Sequence, residues 1–96
     1  MDGVTLTAVR PKVRDDLAVV ELDGEAVIYD EATNDLHLLN PTATIVFHLC
    51  DGTATMREMS ADISQTFGVP DDEIERQVRS LVRRFRKAQL LETVAR

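Results

Sequence analysis

Ninety-six residues, 44% of them hydrophobic, suffice for one domain with a single modest core. The lone cysteine, Cys50, excludes an internal disulfide and points to a reducing, cytoplasmic setting. A formal charge of −6 and a pI near 4.7 exclude a general affinity for nucleic acid or anionic lipid, and no apolar run is long enough to cross a membrane.

Residues 1–16 read as an extended arm, because Pro11 discourages a helix there. The domain proper is expected over residues 17–93. Leu17 to Leu22 and Glu25 to Asp30 are valine-bearing strands joined by Asp23-Gly24, a pair that tolerates the positive φ angles of a two-residue hairpin turn. A looser turn, Glu31 to Asn34, leads to a third strand, Asp35 to Leu39. Pairing Leu22 with Glu25 sets Val20 beside Val27 and Ala18 beside Tyr29. A four-residue second loop then sets Leu36 beside Tyr29 and Leu38 beside Val27. That register collects Ala18, Val20, Leu22, Val27, Tyr29, Leu36 and Leu38 on one face, the expected core face, and leaves Val19, Ile28, His37 and Leu39 on a mixed, half-exposed one.

Three helices follow. Asn40 stands at an N-cap position and Pro41 at the first helical residue, opening a helix to about Cys50 that stops at Asp51-Gly52; Ile45, Val46 and Leu49 are its expected buried side. Thr55-Met56-Arg57-Glu58 is a capping box, followed by an apolar stripe of Met56, Met59, Ile63 and Phe67 and a stop at Gly68. The third helix begins among Asp71, Asp72, Glu73 and Glu75, carboxylates suited to the positive end of the helix dipole. Its stripe is Ile74, Val78, Leu81, Val82 and Phe85, with Leu90 and Leu91 returning to the core. The class is α+β, a winged helix-turn-helix with a three-stranded antiparallel sheet followed by three helices.

Catalytic chemistry finds little support. Cys50 lies on an apolar helix, where a structural thiol is the expected role. Two histidines and one cysteine offer no zinc-like spacing, and no glycine loop is fit to cradle phosphate. No cofactor and no metal is expected. Two features suit binding instead. In a meander the third strand is an outer strand, and Asp35, Leu36, His37, Leu38 and Leu39 contain no proline to block pairing with a visiting chain. On the third helix, Val82 flanks the apolar centre beside Arg79 and Arg86, with Arg83 and Arg76 further round. With Val78, these form an apolar slot with a cationic rim. The competing readings are an edge covered by the N-terminal arm and arginines that merely solvate a helix face. A DNA-binding winged-helix regulator is the alternative function, although the helix end that approaches bases carries carboxylates.

Val27-Ile28-Tyr29-Asp30, Leu38-Leu39-Asn40-Pro41-Thr42-Ala43, Leu49-Cys50-Asp51-Gly52-Thr53, Met56-Arg57-Glu58-Met59 and Ala88-Gln89-Leu90-Leu91 together resemble the PqqD family, over roughly residues 10 to 92. Gln89 departs from the glycine frequent there. The resemblance implies a non-catalytic recognition element for ribosomally made, modified peptides, binding the leader segment of a precursor peptide as an added strand. Its implied partners are a radical SAM enzyme, as in pyrroloquinoline quinone synthesis, or a leader peptidase, as in lasso-peptide systems. On this sequence the pairing strand would be Asp35 to Leu39, and the helical wall Val78, Arg79, Val82, Arg83 and Arg86. The oligomeric state stays open, a homodimer included.

Overall fold

A computed structural model describes residues 9–92. Strands β1 (Ala18–Leu22), β2 (Glu25–Asp30) and β3 (Asp35–Leu39) form an antiparallel sheet in the order β1-β2-β3. Helices α1 (Pro41–Leu49), α2 (Met56–Phe67) and α3 (Asp71–Lys87) follow. The first eight residues of the expected arm, and Thr93 of the expected domain, lie outside the described residues.

Local chemistry accounts for the boundaries. Asp23 and Gly24 both take positive φ (54° and 80°), the turn geometry that matches strand twist. Asn34, also at positive φ, closes the second loop by donating its N–H to the Asp30 carbonyl at 2.7 Å. Asn40 Oδ1 accepts from the Ala43 N–H at 2.8 Å, capping α1 with Pro41 at its first position. The capping box of α2 is complete: Thr55 Oγ1 accepts from Glu58 N–H, and Glu58 Oε1 accepts from Thr55 N–H. Gly68 ends α2 in the left-handed conformation. The α3 stripe, Ile74, Val78, Leu81, Val82 and Phe85, is buried throughout.

The strand register is the one the turn lengths require: Val20 opposite Val27, Leu22 opposite Glu25, Leu36 opposite Tyr29 and Leu38 opposite Val27. The faces, however, are the reverse of the expectation. Ala26, Ile28, Asp30 and Leu39 turn to the helices and are buried, whereas Val20, Leu22, Leu36 and Leu38 are 60–76% exposed. The cause lies at the junction of β3 and α1. Only Asn40 separates them, so the helix folds back onto the face carrying Leu39. Period-two alternation then sends Leu38 and Leu36 outward.

Two smaller corrections follow from packing. Helix α1 buries Ala43, Thr44, Val46 and Phe47, with Ile45 and Leu49 only half-buried. Phe47 meets Phe85 edge-to-face at 5.8 Å, which fixes α1 against α3. Phe67 at the end of α2 is 58% exposed, outside the stripe assigned to it.

Residues 9–16 are tied to the helical side. Gly52 N–H donates to Pro11 C=O, Val13 N–H to Cys50 C=O, Arg14 N–H to Leu90 C=O, and Glu92 N–H to Lys12 C=O. Gly52 sits at φ +86°, and a Cβ there would approach Lys12 Cδ to 3.2 Å. Arg14 completes the fastening. Its guanidinium holds the buried Asp30 carboxylate at 2.8 and 3.2 Å, Asp16 at 2.7 and 3.0 Å and the Gln89 carbonyl at 3.0 Å. Hydrogen bonding from Arg14 holds both carboxyls below the usual carboxylate range.

Candidate functional site

The hairpin turn dictates which backbone groups face outward. In a two-residue hairpin the closing pair, Leu22 and Glu25, exchanges both ladder hydrogen bonds, and the pattern alternates from there. Glu25, Val27 and Tyr29 therefore address β1, and Ala26, Ile28 and Asp30 address β3. Asp35, His37 and Leu39 return those bonds. Leu36 and Leu38 are left with N–H and C=O groups directed away from the sheet, along its outer edge. Among the described residues no strand pairs with this edge: the arm bridges to Asp51 and Leu91 instead. His37 Nε2 is buried and makes no hydrogen bond within the described residues, so this side chain faces the core side.

At its C-terminal end the edge opens into two adjoining hollows. One, of about 320 Å³, is lined by Glu25, Leu38, Leu39, Asn40, Ala43 and Arg84. The other, of about 440 Å³, is lined by Asn40, Thr42, Glu73, Arg76, Gln77, Ser80 and Leu81. Asn40 borders both, so the end of β3, the start of α1 and one flank of α3 share a groove. Arg76 and Arg84 lie on this flank and form no ion pair among the described residues, so their charge is available to a ligand.

The helix residues expected to wall a slot are placed differently. Val78 and Val82 are 0% and 1% exposed; they are core and offer no surface to a visiting chain. Arg79 is engaged by Glu75 one turn earlier, at 2.8 Å. Arg86 lines a separate cleft with Arg10, Lys12 and Gln89, on the flank that meets the arm. At 100° per residue, Arg86 and Arg84 stand about 160° apart round the helix. Arg83 is exposed and lines neither hollow. Of the groove cations, the sequence placed Arg76 only further round the helix with Arg83 and gave Arg84 no role; the two fall with Ser80 into one i, i+4, i+8 row. That row was legible; which flank meets β3 was not.

Cys50 is fully buried, and loss of solvation pushes its thiol pKa up to about 12, which leaves it unreactive at neutral pH. The buried Asp30 is committed to Arg14 and the Ala32 N–H.

Two solved structures share this fold. "TbiB1 in Complex with the TbiA(beta) Leader Peptide" is 22% identical and superposes with a TM-score of 0.75, covering 88% of this chain and 99% of that one. "Lasso peptide synthetase B1 complexed with the leader peptide" is 17% identical, with the same TM-score and coverage. Among curated proteins none matches this sequence. The family model for coenzyme PQQ synthesis protein D matches residues 25–91, most of the chain. By that match this chain belongs to the PqqD family.

Proposed function

We propose that this chain is a non-catalytic peptide-binding protein that captures the leader segment of a ribosomally made precursor as an added strand on β3 and presents it to a modifying enzyme. One observation carries the reading: among the described residues the outward N–H and C=O groups of Leu36 and Leu38 are unclaimed, and they lead into the groove beside α3. Both structural relatives described above are complexes with leader peptides, which supports the same reading. The strand Asp35–Leu39 supplies main-chain hydrogen bonds worth about 0.5–1.5 kcal/mol net each. The Arg76 and Arg84 row meets acidic leader side chains, in place of Arg79, Arg83 and Arg86. The enzyme served is a radical SAM protein or a leader peptidase.

The test is fluorescence polarisation with a labelled, acidic leader peptide of a candidate precursor. Leu38→Pro removes an edge N–H but no bond to β2, and the expected result is a loss of affinity of about tenfold or more with an unchanged Tm. Arg84→Glu should weaken an acidic leader several-fold, more so at low salt, whereas Arg86→Glu should not. Wild-type affinity for Leu38→Pro would reject the edge as the site. Exposed Asp71, Asp72 and Glu73 in the first turn of α3 repel phosphate, so a gel shift with duplex DNA should show no salt-sensitive complex.

A further inference from the structure

The outer face of the sheet remains unexplained by peptide capture. Leu22, Leu36, Leu38 and Val20 are 72%, 66%, 76% and 60% exposed, and the register sets them on one side with Val27 and Tyr29 between. Their exposed area is on the order of 500 Å², at the upper end of what a monomer's surface carries as one patch. A peptide paired with the β3 edge lies in the plane of the sheet and leaves this face bare. The helices and the described part of the arm all lie on the other side.

The border of the patch indicates what covers it. Residues 17–40 contain six carboxylates and no Lys or Arg. Asp30 is paired with Arg14 and Glu21 with His48, leaving Asp23, Glu25 and Glu31 exposed on and beside the face. Two copies packed face to face would oppose like charges. A partner whose own apolar patch is bordered by Lys and Arg would be both attracted and correctly oriented. The face is also continuous with the peptide edge, since Leu36 and Leu38 belong to both, and an added strand extends the same surface with its alternate side chains.

We propose that the outer sheet face docks a second protein with an apolar, basic-rimmed surface; resting on the function proposed above, that protein is the enzyme that acts on the captured peptide. The experiment places the photo-crosslinker p-benzoylphenylalanine at Leu22, with Thr66 on the helical side as control, in the full chain expressed in its native host. The captured protein is then purified and its affinity measured directly. A protein crosslinked from Leu22 but not Thr66 is expected. Its affinity should fall at least tenfold with Leu22→Lys and several-fold with Glu31→Lys, the latter effect shrinking as salt rises, while both variants keep the wild-type Tm and peptide affinity. Several outcomes overturn the proposal: no crosslink, a crosslink to a second copy or to this chain's own residues 1–8 or 93–96, or a captured protein indifferent to both substitutions. Loss of peptide binding by the wild-type chain, with partner binding still dependent on Leu22, would instead reject the peptide reading and leave the docking face standing.

Discussion

Arg14 is the residue on which the arrangement of the arm turns. It draws together the end of β2, the arm and the chain following α3, and it does so over a carboxylate that has no access to water. Because Asp30 and Asp16 titrate below their unfolded values, their contribution to stability is complete above about pH 4 and is lost as pH falls through their depressed folded-state pKa values. Arg14→Gln should therefore lower Tm at pH 7 and flatten the acid limb of a Tm-against-pH curve. Equal slopes for wild type and variant below pH 4 would reject that role. None of this was read from the sequence, which shows Arg14 and Asp30 sixteen positions apart without reason to join them.

At the scale of elements, boundaries were legible because their determinants are local. Asn40-Pro41, Thr55 with Glu58, Gly68 and Asp23-Gly24 each act within four residues, and each ends or starts an element where expected. Thr55→Ala removes the acceptor for Glu58 N–H and should destabilise the domain by about 1 kcal/mol in urea unfolding, with an unchanged m value. Sheet register was legible for the same reason, since turn length sets it. The choice of face was not. Counting apolar residues favours the side carrying Val20, Leu22, Leu36 and Leu38, and the true inner side is disguised by Asp30 and His37. Leu39 held the available hint: the last strand residue before an immediately adjoining helix packs beneath it. The expected slot on α3 failed likewise. Val78 and Val82 belong to its apolar stripe, and helix periodicity alone does not say how wide a sector the neighbouring elements cover.

For the whole molecule, the described part of the arm, residues 9–16, is a structural part of the fold through residues 11–14 and does not itself pair with the β3 edge. Deleting residues 1–8 should leave Tm within a few degrees of the intact chain. Deleting residues 1–16 removes the Arg14 clamp and its backbone bonds, and should lower Tm by about 10 °C or prevent folding. Differential scanning calorimetry of the two truncations distinguishes them, and equal values would show the arm to be dispensable. Among the described residues the molecule presents an unpaired strand edge, a groove whose Arg76 and Arg84 form no ion pair, and an apolar sheet face on its outer side. No described helix is long and apolar enough to cross a membrane.

Caps, turns and periodicity specified the order of strands and helices, their lengths and the strand register, since each depends on neighbours a few positions away. Which sheet face is covered, which flank of α3 borders β3 and where Arg14 lands depend on contacts between distant segments. Those choices come from the docking of α1 directly behind Leu39, and only the packed molecule reveals them.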